Sequence, residues 1–172
     1  MRILVLSDTH GHRDQVTKIL RYEMSATRPD YLVFLGDGLR EIDDIAYYGE
    51  FSWLPVLSVR GNCDFFGASD TPELREWSVG GYRLLLMHGH RYEVKSGLSR
   101  AAAFAVSKGA DALLYGHTHA AREDRFAAGD LVNGISLSRP LVMFNPGSAG
   151  YGGEYGIVTL GSQGITCERR IL

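Results

Sequence analysis

The chain has 172 residues, 45% hydrophobic and 22% charged, a globular balance at the length of one domain whose core can bury about 70% of the unfolded surface. A formal net charge of -2 offers no basic footprint for gripping duplex nucleic acid, so no stable nucleic-acid binding is expected, although a nucleotide-sized substrate is compatible with it. No apolar run approaches the ~20 residues of a membrane span, and the two cysteines, Cys63 and Cys167, form no Cys-x-x-Cys pair, so a soluble cytoplasmic protein with reduced thiols and no zinc ribbon is expected.

In chain order, the apolar run 3–6 leads into Ser7-Asp8-Thr9-His10. Val16, Ile19, Leu20 and Met24 then follow the spacing of one helical face, which Arg28-Pro29-Asp30 stops. The run 31–35 ends in Gly36-Asp37, a shorter helix is predicted over 41–48, and 56–59 ends in Arg60-Gly61-Asn62-Cys63-Asp64. Gly80-Gly81 reads as a hairpin turn between 77–79 and 82–87, the latter ending in His88-Gly89-His90. A helix over 101–108, entered through Ser99 and closed by Gly109, precedes the run 112–115 and its Gly116-His117-Thr118-His119. Beyond residue 121 come short strands at 141–144, 155–160 and 165–168, the last two forming a hairpin around Gly161-Ser162-Gln163-Gly164.

Short apolar runs bounded by polar turns fit buried strands, and their alternation with helices predicts right-handed crossovers and a largely parallel sheet. The antiparallel remainder is expected to pack against it within one domain, 1–172. Loops at the carboxyl ends of such strands gather on one rim, so all five polar loops should meet there. The glycines before Asp37, Asn62 and His117 either let the backbone turn sharply or are plain loop punctuation.

All six histidines lie in three His-x-His pairs: His10/His12, His88/His90 and His117/His119. Imidazole is mostly neutral near pH 7 and donates a lone pair readily, so this grouping points to metal. Asp8, His10, Asp37, Asn62, His88, His117 and His119 together offer too many donors for one divalent ion. Mixed nitrogen and oxygen ligands suit Mn, Fe, Zn, Co or Ni better than Ca or Mg.

The blocks D-x-H, G-D, G-N-x-D, H-G and G-H-x-H occur in order from Asp8 to His119, and in this the chain resembles the calcineurin-like metallophosphoesterase superfamily. Gly61-Asn62-Cys63-Asp64, His88-Gly89-His90 and Asn145-Pro146-Gly147-Ser148 make it most similar to the small YfcE-like phosphodiesterases. The resemblance implies an α/β/β/α sandwich of two mixed sheets flanked by helices, with the metal site at the carboxyl ends of the strands. It assigns Asp8, His10 and His119 to one ion, Asn62, His88 and His117 to a second, and Asp37 to a bridge between them. Two divalent ions, Mn first among them, would then bind a small phosphodiester while a bridging hydroxide attacks phosphorus in line, leaving a net charge of about +1 to draw in the anionic substrate.

Asn62, Cys63, Asp64 and His90 are the candidate catalytic residues. Many members carry a histidine after the asparagine, where Cys63 stands here, and a thiol is a weak donor without positive charge. Substrates with good leaving groups should therefore be preferred and alkyl phosphate monoesters be slow; the alternative is that Cys63 is a small buried residue with no catalytic part. His12 and His90 lack a ligand role and could meet substrate phosphate, with His90 the candidate acid, or face solvent. Asp64 is expected to orient a neighbouring loop or ligand. The 145–148 segment could offer backbone N–H groups to the site, and 149–153 could form a mobile edge. Tyr151 and Tyr155 are expected to pack, and Arg122, Arg125, Arg169 and Arg170 to be solvated surface charges. Substrate choice should reside in the loops 39–51, 65–75 and 92–97. The alternatives are a mononuclear metal protein and a non-catalytic interaction scaffold like the retromer subunit of this fold; a homo-oligomer is allowed.

Overall fold

The computed structural model describes residues 1–65 and 70–172. Its first sheet has the order β12-β11-β1-β2-β3 and its second β4-β5-β6-β10-β7. In the first, β1 (Arg2–Leu6), β2 (Tyr31–Phe34) and β3 (Val56–Ser58) are parallel. The hairpin of β11 (Glu154–Gly161) and β12 (Gly164–Ile171) is added antiparallel to β1. In the second, β5 (Tyr82–Met87), β6 (Ala112–Tyr115) and β10 (Leu141–Asn145) are parallel. Two antiparallel edges, β4 (Leu74–Val79) and β7 (Arg122–Phe126), close that sheet. The largely parallel single sheet expected from alternation is thus corrected to two mixed sheets, because among the described residues no helix separates β3 from β5 and the hairpin strand β4 begins a new sheet instead. A small ribbon of β8 (Leu131–Val132) and β9 (Ile135–Ser136) stands apart from both.

Strand alternation builds the layers. Leu4, Leu6, Leu32 and Phe34 face α1 (Arg13–Ala26) and α2 (Leu39–Tyr48), through Val16, Ile19, Leu20 and Ile42. Their neighbours Ile3, Val5, Val33 and Leu35 point the other way, against Leu84, Leu86, Leu114 and Phe144 of the second sheet. On its outer face, Leu85, Met87, Leu113 and Tyr115 pack on Ala101, Ala102 and Ala105 of α3 (Ser99–Ser107). Both faces of these strands are covered, which is why they read as unbroken apolar runs rather than alternating ones. The result is the four-layer α/β/β/α sandwich that the resemblance implies.

Two details depart from expectation. Met24 packs only partly on the core, and the position before it, Glu23, is fully buried. Its carboxylate accepts from Tyr155 Oη at 2.7 Å and Arg170 Nη1 at 2.9 Å, and pairs with Arg2. Arg170 is therefore a structural ion-pair partner, not a solvated charge; Arg122, Arg125 and Arg169 pair with Asp124, Glu123 and Glu154 at the surface. Burial by itself disfavours the ionised carboxylate of Glu23, but the Tyr155, Arg2 and Arg170 donors outweigh that and hold its pKa below the ordinary value.

Glu23→Gln should lower stability at pH 7 by about 2 kcal/mol, since Arg2 loses its counter-ion and Arg170 keeps only Glu168. With a depressed folded pKa, the stabilisation is complete above the ordinary pKa of 4.5 and is lost as pH falls through the folded value. Urea midpoints of the two proteins should differ clearly at pH 7 and converge on acidification; a constant gap would contradict this linkage.

Candidate metal centre

The carboxyl ends of β1, β2, β3, β5 and β6 deliver Asp8, Asp37, Asn62, His88 and His117 to one rim. Among the described residues, seven that are not glycine have positive φ, and five of these are Asp8, His10, Asp37, His117 and His119. A left-handed residue at a strand end turns the side chain back across the rim, at about 1 kcal/mol or more for a residue with a Cβ. Strain of this kind gathers where function requires geometry over stability.

Asp8, His10 and His119 place one donor atom each within 4.8 Å of the others, and Asp37, His88 and His117 do the same. His10 Nε2 faces His119 Nε2 at 3.2 Å, and His88 Nε2 lies 3.1 Å from both His117 Nδ1 and Asn62 Oδ1. Asp37 Oδ2 lies between the groups, 3.3 Å from His88 Nε2 and 4.0 Å from His10 Nε2. Imidazole nitrogens this close need a proton or a cation between them. The chain's own charges show the same demand. Burial drives protons off both rings, but Asp37 and Asp8 hold the His88 pKa above its usual value, while burial and His88 push His117 down to about 4.

Asp8 supplies the sharpest test of fit. It is fully buried; its Oδ2 accepts from Ser7 Oγ at 2.6 Å and His117 N at 3.0 Å, whereas its Oδ1 has no hydrogen-bond partner and lies 3.2 Å from His119 Nε2. A buried carboxylate oxygen without a donor costs free energy unless a cation meets it. The donor set fits divalent metal.

A family model for the calcineurin-like phosphoesterase superfamily domain matches residues 1–162. The chain belongs to this superfamily. The probable metallophosphoesterase YsnB of Bacillus subtilis is 29% identical over 148 residues, 86% of this chain and 75% of its own length. A probable metallophosphoesterase of Methanothermobacter thermautotrophicus is 30% identical over 119 residues, 69% of this chain and 67% of its own. Among solved structures, an archaeal phosphodiesterase superposes over 100% of both chains with TM-score 0.68 and 19% identity. Vps29 of Entamoeba histolytica, complexed with zinc, covers 99% of this chain and 98% of its own with TM-score 0.61 and 23% identity. These two share the fold of this chain.

The family is metal-dependent, and around the donors of this member lie residues that hold them in place. Asp64 accepts four backbone N–H groups, from Asp37, Gly38, Leu39 and Gly61, all at 2.8 to 2.9 Å, so its carboxylate clasps two ligand loops together. Asp37 Oδ1 accepts from Cys63 N at 2.7 Å, and His88 Nδ1 donates to Leu35 O at 2.7 Å, which leaves Nε2 free to ligate. The three glycines have different reasons. Gly36 needs its φ of +97°, but a Cβ on Gly61 would stand 2.1 Å from Asp37 Oδ1 and one on Gly116 would stand 1.9 Å from Ser7 Oγ. For Gly61 and Gly116 the requirement is close approach.

The 145–148 segment spends its N–H groups internally. Gly147 N donates to Asn145 Oδ1 at 2.9 Å, and Asn145 Nδ2 donates to Gly116 O at 2.9 Å. Ser148 Oγ donates to Asp8 O at 2.9 Å and accepts from Tyr151 N, capping a short helix, α4 (Ala149–Gly152), within the 149–153 segment. Ala149 N and Gly150 N donate to Ser7 O and Asp8 O. Tyr155 packs as expected. Tyr151 does not: it is 71% exposed, with its ring 5.0 Å from His12 and 6.2 Å from His119. His12 Nδ1 donates to Thr9 O at 2.9 Å, and His90, starting a 3-10 turn, has a buried Nδ1 without a partner and its ring 5.5 Å from His88. Cys63 is exposed beside His10 and Asp37, and burial together with Asp37 pushes its thiol up to about 11. Of the 65–75 loop, residues 66–69 lie outside the described residues. Ser7, Thr9 and Glu41, which anchor the first loop, give no signal in sequence beyond adjacency to a ligand.

Asp64→Asn keeps the shape of the clasp but turns an amide N–H₂ toward backbone donors it cannot satisfy. A loss of about 2 to 4 kcal/mol is expected by urea denaturation. Metal content should fall with it although no ligand is removed, and unchanged metal content in a folded Asp64→Asn protein would deny the clasp its part in placing Asp37.

Proposed function

We propose that the chain is a dinuclear metal-dependent phosphodiesterase acting on small phosphodiesters. The observation that carries this reading is the position of Asp37 Oδ2, which reaches toward both histidine groups at 3.3 and 4.0 Å. Asp8, His10 and His119 would hold one ion, and Asn62, His88 and His117 the other, with Asp37 between. The ions, Mn in the first instance, supply Lewis-acid polarisation of phosphoryl oxygens and lower the pKa of water. Water oxygen forms a new P–O bond, one ester P–O bond breaks, and the departing oxygen takes a proton, giving an alcohol and a phosphate monoester.

The chain's own residues supply the positioning. The buried carboxylates of Asp8 and Asp37 set the charge of the rim, and the Asp64 clasp fixes the separation of the Asp37 and Asn62 loops. Cys63 borders the cleft where a positively charged side chain would steady a departing alkoxide; a thiol supplies no such charge. This supports diesters whose leaving groups need little help. The likeness to Vps29 supports a second reading, a protein-interaction scaffold. The unpartnered oxygen of the buried Asp8 calls for a cation under either reading, and a Vps29 structure holds zinc, so turnover separates the two.

After chelation and reloading with Mn, two ions per chain and hydrolysis of bis(p-nitrophenyl) phosphate are expected. Asp37→Asn should reduce binding of both ions and activity by at least a hundredfold, whereas His119→Ala should empty one site. Stoichiometric metal with no turnover under any of Mn, Ni, Co, Zn or Fe would favour the scaffold.

Cys63→His should raise kcat at least tenfold on an alkyl ester while changing bis(p-nitrophenyl) phosphate turnover little. Equal effects on the two substrates would remove Cys63 from leaving-group selection.

A further inference from the structure

Beside the metal rim opens a cleft of about 270 Å³ lined by His10, Asp37, Arg40, Cys63, Asp64 and Phe65. Arg40 is exceptional in its isolation. Every other arginine of the chain bonds or pairs: Arg2 with Glu23, Arg13 with Asp44, Arg21 with Glu50, Arg60 and Arg91 with Glu73, Arg100 with Glu93, Arg139 with Asp111, and Arg28 lies over the Trp53 ring. Arg75 and Arg83 bond carbonyls, and the remaining four pair as described above. Arg40 alone has no hydrogen bond, ion pair or ring contact among the described residues.

Of the acidic groups around it, Asp43, three residues on in α2, makes no ion pair with it, and the others are committed elsewhere. Glu41 accepts from Thr9 Oγ1 at 3.1 Å and from Gly11 N; Asp44 accepts from Arg13 at 3.2 Å; Asp64 is saturated by backbone N–H groups; Asp37 is held by His88 and Cys63. Nor does Arg40 serve its helix. It stands in the first turn of α2, where the exposed N–H groups already carry partial positive charge and a cation is unfavourable. An unpaired guanidinium in a place that disfavours it, on the lining of a cleft, is a ready receptor for an anion that binds in two-point fashion.

Phe65 lines the same cleft and is 79% exposed, the largest exposure among the big apolar side chains described. An open aromatic face next to a free guanidinium matches a planar ring carried beside a phosphate. We propose that this cleft takes a nucleotide group of the substrate, with the scissile phosphate at the metal rim, the base on Phe65 and a further phosphate on Arg40. The inference rests on the phosphodiesterase reading for its scissile phosphate, and it narrows the substrate class to nucleotidic diesters bearing an additional phosphate.

The test is isothermal titration calorimetry of the Mn-loaded protein with adenosine 3′,5′-bisphosphate, adenosine 5′-monophosphate and inorganic phosphate. The wild-type chain should bind the bisphosphate about tenfold more tightly than the monophosphate. Arg40→Gln should erase that preference, and Phe65→Leu should weaken both nucleotides about fivefold, while affinity for inorganic phosphate and metal content stay as in the wild type. Arg21→Gln, an exposed arginine on α1, should bind all three as the wild type does. Equal wild-type affinity for the two nucleotides, or a preference that survives Arg40→Gln, overturns the proposal. The measurement needs no turnover. An Arg40-dependent preference without hydrolysis of bis(p-nitrophenyl) phosphate keeps the cleft and rejects the diesterase reading, and hydrolysis without the preference does the reverse.

Discussion

Two carboxylates buried at the ends of adjacent parallel strands govern this molecule. Asp8 and Asp37 are almost wholly shielded from water, and neither has a lysine or arginine as partner. Ionised groups in such a position demand compensation from hydrogen bonds or cations. The surrounding sequence is organised to supply it: Ser7 Oγ and His117 N for Asp8, Cys63 N for Asp37, and four imidazoles whose nitrogens face inward. The compensation is incomplete, since Asp8 Oδ1 goes without a donor. That shortfall is a property of a site built for metal rather than for stability.

The strained backbone of the rim follows from the same requirement. A side chain leaving a strand in regular geometry points above or below the sheet, away from a crevice at its end. Left-handed φ at Asp8, Asp37 and His117 redirects it, and the glycines at 36, 61 and 116 allow the loops to approach closely enough for the redirected groups to meet. Much of this was legible in sequence. The five polar loops, the histidine pairs and the order of motif blocks pointed to the residues that the rim brings together, because each follows an apolar run that fits a buried strand.

What sequence did not disclose are contacts made by ordinary residues across long separations. Glu23 sits on the apolar face of its helix, seven residues on from Val16, but its charge argues for solvent until Arg170, Tyr155 and Arg2 are seen to converge on it. The split into two sheets was invisible to periodicity, since β4 and β5 alternate no differently from strands that extend an existing sheet; only the resemblance carried that information. Asp64 read as an orienting carboxylate, but its role as a clasp for four amides depended on loops whose shapes periodicity does not describe. Arg40 could not be distinguished from other surface arginines, because its isolation is a statement about all the others.

Each donor group draws from both sheets: Asp8 and His10 from the first sheet meet His119 from the second, and Asp37 from the first meets His88 and His117 from the second. Across the gap, the chain leaving β10 returns to fasten itself on Ser7 and Asp8. The spacing of the donors is therefore set by the thickness of the apolar layer between the sheets, where Ile3, Val5, Leu84, Leu114 and Phe144 interlock. The hydrophobic interior acts as a gauge block: its side-chain volumes, far from any polar chemistry, calibrate the distance across which the two halves of the centre face each other.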